Sequence, residues 1–170
     1  MASRVAHLIS DLRLEPHPEG GFYRQTYRSA STVQPADERS ARASLTTIYF
    51  LLPAGEVSRW HAVSSDEVWH FYEGAPLELL TADGEFAHVT RQTLGPVGPE
   101  SEPVRVVAAH VWQAARSTGA FTLVGCTVGP GFDFADFRML RDAPELSAIR
   151  SQPSAQCLGT HLALRLTADS

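Results

Sequence analysis

Between Gly55 and Gly74 the chain reads GEVSRWHAVSSDEVWHFYEG, and no other stretch constrains the fold as tightly. Both halves alternate as strands do. In the first, Val57, Arg59 and His61 share one parity, while Ser58, Trp60 and Ala62 share the other. Successive side chains of a strand point to opposite faces, so His61 is expected to point inward and Trp60 outward. Ser64, Ser65 and Asp66 read as a turn, and Glu67 then opens a returning strand through Val68 to Tyr72. An imidazole and a carboxylate thereby meet from neighbouring strands on one sheet face. That is a pocket for acid–base chemistry or for a metal.

The same short-strand pattern continues on both sides. Val5, Leu8, Ile9 and Leu12 fall at helical spacing behind Ser3 as N-cap, predicting one amphipathic helix that stops before Pro16 and Pro18. After the Gly20-Gly21 turn, Phe22, Arg24 and Thr26 share one face of a strand, and Tyr23, Gln25 and Tyr27 the other. Ala30 to Arg42 is a polar loop, and Leu45 to Leu52 is an apolar run ended by Pro53, read as a buried strand. Leu77 to Arg91 reads as a hairpin turning at Asp83-Gly84. Strands follow over Val104 to Val107, Val111 to Ala115 and Phe121 to Val128, the first two separated by a turn at Ala108 to His110. Phe132, Phe134 and Phe137 make an aromatic closing segment. Strands recurring roughly every eight to twelve residues between Gly/Pro turns predict an all-β sandwich or jelly roll. Pro144 to Arg150 reads as a short helix, and the pattern fades over Gln152 to Ser170. The expected layout is a helix at 1–16, one β domain at 17–140 and an extension at 141–170.

Composition serves mainly to exclude. With 170 residues the chain is large enough for one real core. A formal charge of −5, a pI near 5.8 and scattered arginines argue against nucleic acid as a partner. Cys126 and Cys157 form neither a CxxC pair nor a disulfide framework, and Cys126 lies in an apolar run as a small buried hydrophobe. No apolar run approaches membrane-spanning length and no signal-peptide core is seen, so a cytoplasmic location without a membrane partner is expected.

Gly55, His61, Glu67 and Gly74 stand at the spacing of the first motif of the cupins, where a His-x-His pair precedes the glutamate; Val63 occupies the second histidine position. Together with HPEGGFYRQTYRS, SLTTIYFLLPAGEVSRWHAVSSDEVWHFYEGAPLEL, VVAAHVWQAA and CTVGPGFDFADF, the chain resembles the DUF985 group of cupins from His17 to Leu140. The resemblance implies a cupin double-stranded β-helix, a jelly-roll barrel with an N-terminal helix, commonly a homodimer. It implies a likeness in shape to sugar-nucleotide epimerases and germin-like cupins, and no settled reaction. A metallocupin uses three histidines and a glutamate, the last histidine from a segment resembling Pro-x-Gly-x-x-His. Here Ala108, His110 and Gln113 stand at its proline, glycine and histidine positions. The implied quartet is His61, Val63, Glu67 and Gln113. Valine has no donor, and an amide oxygen is a poor ligand for transition metals beside imidazole. No cofactor is therefore expected. A divalent transition metal would need His61, Glu67, Gln113 and His70, and His70 has the wrong parity unless a bulge intervenes.

The expected chemistry rests on His61 as a base near neutral pH, Glu67 as its orienting carboxylate and a tyrosine, Tyr23 foremost with Tyr27 and Tyr72 as alternatives, as the acid. Arg24 or Arg59 could hold a carboxylate or phosphate. Trp69, Phe71 and Trp112 are candidate walls, and Gln113 points inward as a hydrogen-bonding group if Trp112 points outward. His17 and Glu19 are read as capping the Gly20-Gly21 turn, and His110 as a residue whose φ is strained where relatives tend to carry glycine. His7, His88 and His161 are expected to face solvent. The reading is a protein that binds or converts a small polar metabolite, sugar- or nucleotide-like, by metal-independent epimerisation or isomerisation. Its alternatives are a non-catalytic binding or sensing module and a metal-dependent isomerase or dioxygenase.

Overall fold

The structure is a computed structural model and describes residues 3–143. Helix α1 spans Arg4–Asp11, and Ser3 caps it by accepting the Ala6 N–H on its side chain. Strands β1 (Glu15–Pro16), β2 (Phe22–Arg28), β3 (Thr32–Val33), β4 (Arg42–Ala43) and β5 (Thr46–Pro53) follow. The central motif supplies β6 (Val57–Val63) and β7 (Asp66–Gly74). Then come β8 (Leu77–Ala82), β9 (Val89–Leu94), β10 (Val104–Val107), β11 (Trp112–Ser117), β12 (Phe121–Gly129) and β13 (Phe137–Met139). The short helix expected over Pro144 to Arg150, and the tail beyond it with His161 and Cys157, lie outside the described residues.

Two antiparallel sheets make the barrel, ordered β1-β2-β5-β12-β7-β10 and β13-β6-β11-β8-β9; β3 and β4 pair separately within the expected loop. Alternation along β5 shows why the layers stack as they do. Phe50 and Leu52 point between the sheets to Trp69, Leu77, Leu79 and Val124. Leu51 points the other way, where α1 lays Leu8 with Val5, Ile9 and Leu12 over it and Leu123. Each such fully buried side chain contributes about 1.5–3 kcal/mol through removal from water. On the outer face of the second sheet, Trp60, Ala62, Trp112 and Ala114 are covered by Phe86, Leu140 and Ala143.

Two departures from simple alternation matter. Between β6 and β11 the register shifts, with Gln113 opposite His61 and Ala115 opposite Ser58. This irregularity lets Ser58 and His61 both turn inward and leaves Arg59 exposed, correcting the expected shared parity of Arg59 and His61. His110 has φ of 67°, the left-handed conformation anticipated at that turn. Among the described residues no helix is long and apolar enough to cross a membrane.

Candidate functional site

Packing between the sheets gives way, beside Thr46 and Ile48 of β5 and Val128 of β12, to a cavity of about 230 Å³. His61 enters it from β6 and Glu67 from β7, as the alternation and the turn between them predict. A third acidic or basic group arrives by a route that strand reasoning did not supply. Gly20 and Gly21 hold φ of 116° and 69°, and a Cβ on Gly20 would strike the Val57 carbonyl oxygen, so only glycine permits this tight passage. The turn is clamped by Arg59, whose backbone N–H and guanidinium donate to the Glu19 carbonyl at 3.0 and 3.1 Å. Glu19 is thereby driven into the barrel, only 6% exposed. Ser58 Oγ donates to its Oε1 at 2.7 Å, while its Oε2 lies 3.4 Å from His61 Nε2 and 3.5 Å from His17 Nδ1.

Hydrogen bonding fixes the state of the imidazole. His61 Nδ1 lies 2.8 Å from the Arg59 carbonyl oxygen, which can only accept, so Nδ1 carries the proton and Nε2 of the neutral ring presents a lone pair toward Glu19. Burial pushes the Glu19 carboxyl up to about 8, against the Ser58 hydrogen bond that favours its anion. Burial also raises Glu67, opposed by His61 and reinforced by Glu19. It lowers His61, opposed by Glu67 and by the Arg59 carbonyl. His17 is lowered to about 4, by burial first and then by His61. Near neutral pH the dominant form is thus a carboxylic acid facing an imidazole lone pair, a couple able to hold or release one proton.

Glu67 is oriented from behind. Trp69 Nε1 donates to Gln113 Oε1 at 3.1 Å, and Gln113 Nε2 donates to Glu67 Oε2 at 2.5 Å. The Cys126 thiol bonds the same carboxyl, and burial together with Glu67 holds that thiol well above its ordinary range. This chain bears on the fit of a cupin metal. Gln113 has its only acceptor oxygen engaged by Trp69, Val63 offers no donor, and His70 points away from the cavity, beside Val104 and Gly125. The implied quartet does not suit a metal ion, and among the described residues no three His, Cys, Asp or Glu side chains are arranged to hold one.

The remaining candidates divide by face. Of the four tyrosines, Tyr23 alone lines the cavity, its ring edge-on to His17 at 4.5 Å, whereas Tyr27 and Tyr72 are half-exposed. Trp69 and Phe71 belong to the packed core rather than the cavity wall, and Trp112 faces outward with Trp60. Arg24, opposite in parity to Tyr23, lies over the Tyr49 ring on the outer face, and Arg59 is the brace of Glu19. Neither arginine reaches the cavity. His17 does cap its turn, accepting the Glu19 N–H on Nδ1, but its ring also lines the cavity. The acid–base groups of the cavity that reading by alternation missed are therefore Glu19 and His17. Their signal was the HPEGG segment, where paired glycines buy a close approach of backbone to a strand.

Phe132, Phe134 and Phe137 line the mouth side of the cavity, Phe134 itself 54% exposed, with centroid separations of 5.1, 5.9 and 6.3 Å among them. Their segment is pinned by Asp136, whose carboxylate accepts from Arg42 at 2.8 and 2.9 Å and from Arg39 at 3.1 Å. The wall is thus held by ion pairs outside the cavity.

Residues 6–140 match the family described as Cupin superfamily (DUF985). A hypothetical protein from Leishmania major is similar at 29% identity and a TM-score of 0.77, over 89% of this chain and 96% of that one. A protein from Shewanella oneidensis is similar at 34% identity and a TM-score of 0.72, over 88% and 95%. An oxalate decarboxylase from Lactobacillus farciminis, at 13% identity and a TM-score of 0.57 over 84% of this chain and 40% of its own, shares the fold alone. Comparison with curated proteins finds no match.

Proposed function

The chain belongs to the cupin superfamily, in its DUF985 family, and from that premise we propose that its barrel binds a small polar metabolite and moves a proton on it, as an epimerase or isomerase does. One observation carries this reading: the His61 Nε2 lone pair faces the Glu19 carboxyl inside the barrel cavity, with Nδ1 tied to a backbone carbonyl. In the proposed step Nε2 takes a proton from a ligand carbon beside a carbonyl. The C–H bond breaks, its electron pair forms an enolate, and Tyr23 protonates the enolate oxygen. Return of the proton from His61 to the other face, or to the neighbouring carbon, gives epimer or isomer and restores Tyr23. Glu67 stabilises the transient imidazolium, consistent with its favourable charge interaction with His61.

Size and charge narrow the ligand. About 230 Å³ lies below the roughly 300–1,000 Å³ of sites for drug-sized molecules, so a single sugar-sized unit suits it better than a nucleotide. Arg24 and Arg59, the groups that would have met a phosphate, lie off the cavity.

The test is solvent exchange. A panel of small hydroxy-carbonyl compounds and sugars is incubated with protein in D2O, and loss of a C–H signal is followed by NMR. Enzyme-dependent exchange is expected in at least one compound, slowed on the order of 10²–10⁴-fold in His61→Ala. Binding without exchange, or equal exchange by the variant, overturns proton transfer and leaves a binding module.

A further inference from the structure

We infer that the ligand of this cavity is a cation: a small protonated amine whose ammonium group sits against Glu19 and Glu67 and whose body lies along the wall of Phe132, Phe134 and Phe137. The inference rests on the reading above only in taking the cavity as the ligand site.

Charge is the first ground. The chain contains no lysine, and among the described residues no arginine lines the cavity. The arginines around it are committed elsewhere. Arg59 is bound to the Glu19 carbonyl, Arg39 and Arg42 to Asp136 behind the aromatic segment, and Arg28 at the rim donates to the Phe132 carbonyl at 3.1 Å. An anionic ligand would meet two acidic groups and no cation. A neutral ligand is compatible with both groups held as buried acids but gives neither a charge to pair with when it ionises. A cation converts each buried carboxylate from a desolvation cost into one half of an ion pair.

The wall is the second ground. Three phenylalanines on one short segment line the cavity with Phe50 and the ring of Tyr23, and Phe134, Phe137, Phe50 and Tyr23 surround His17, which touches Glu19. Ring faces attract ammonium groups within about 6 Å and do so most strongly where water is excluded. Buried acids bordered by aromatic rings describe a receptor for an amphipathic amine.

Proton release follows. Glu19 is faced by His17 from its own turn, His61 and Ser58 from β6, Glu67 from β7 and Tyr23 from β2, with Cys126 of β12 behind Glu67. With its carboxyl raised to about 8, Glu19 is mostly protonated at pH 6, and an arriving ammonium expels that proton. Amine affinity therefore rises from pH 6 to pH 8.

The experiment compares benzylamine, benzyl alcohol and sodium benzoate by isothermal titration against the intact protein at pH 6, 7 and 8, in buffers of different ionisation enthalpy. The expected order is benzylammonium tightest, by roughly tenfold or more over the alcohol, with benzoate weakest. Proton release on amine binding and a rising affinity with pH are expected. Glu19→Gln with Glu67→Gln should abolish the preference for amine while benzyl alcohol binding persists as the check on folding. Benzoate binding as tightly as the amine, a pH-independent amine affinity, or an amine preference that survives the double variant would each overturn the inference. The wild-type comparison needs no variant, so a misfolded one does not shelter it. Absence of deuterium exchange would end the proton-transfer reading and leave this charge preference standing, and the reverse also holds.

Discussion

A carboxyl forced into a barrel leaves a mark on stability, and at Glu19 the sign can be worked out. Its value is about 8 in the folded chain against an ordinary 4.5, so between those pH values the folded state holds a proton that the unfolded state has lost. Stability contributed this way is complete below pH 4.5 and lost as pH rises through 8. His17, folded at about 4 against 6.5, acts in the opposite sense below pH 6.5, where the unfolded chain takes up the proton, and drops out above it. Glu67 shares the sign of Glu19 and His61 that of His17. From pH 6.5 to 8 the wild type should lose about 1.5 kcal/mol from Glu19 alone, and Glu19→Gln should flatten that part of the slope in urea melts. A wild-type stability that climbs over this interval would contradict the assignment. At this scale the sequence showed His61 and Glu67, because two strands and a tight turn force them together. It concealed Glu19, because a side chain delivered by a clamped glycine turn follows no strand period.

Turns and short segments decide how well these groups are held. His110 keeps φ of 67° with its N–H bonded to the Val63 carbonyl, so the strand carrying His61 is tied to a strained residue. Relief of a left-handed non-glycine is worth about 1–2 kcal/mol, partly offset by the entropy glycine loses on folding. His110→Gly should accordingly raise stability by about 0.5–1 kcal/mol in denaturant melts. An unchanged or lower midpoint would show that the His110 side chain supplies an offsetting contact. The aromatic segment depends on Asp136 in another way. Its carboxylate is buried and meets two guanidinium groups, and its backbone carbonyl accepts from the Ser64 N–H. Asp136→Ala should lower the melting temperature by several degrees and weaken benzylamine binding, since three rings lose their anchor. Unaltered amine binding in a folded Asp136→Ala protein would separate the anchor from the wall.

For the molecule as a whole, the homodimer is retained as a proposal with a place for the contact. β10 is an outer strand of its sheet, paired on one side with β7, and it exposes Val104 and Val106 at 42% and 60%. A bare edge carrying apolar side chains is what a two-fold partner covers. Light scattering at micromolar concentration should give the mass of two chains, shifted toward one by Val106→Lys; a monomeric mass in the wild type would dismiss it. The sequence by itself determined the all-β pattern of short strands, the capped helix, the inward His61 and Glu67, the outward His70 and the loss of donors at Val63. All of these follow from alternation, caps and side-chain chemistry that act over a few residues. The short strands β1, β3, β4 and β13 were not legible in the sequence. Tertiary structure alone decided that Arg24 and Arg59 miss the cavity, that Gln113 spends its oxygen on Trp69, and that Glu19 faces His61. Those outcomes depend on a register shift between β6 and β11 and on contacts between residues as far apart in sequence as Glu19 and His61. Local periodicity carries no record of them.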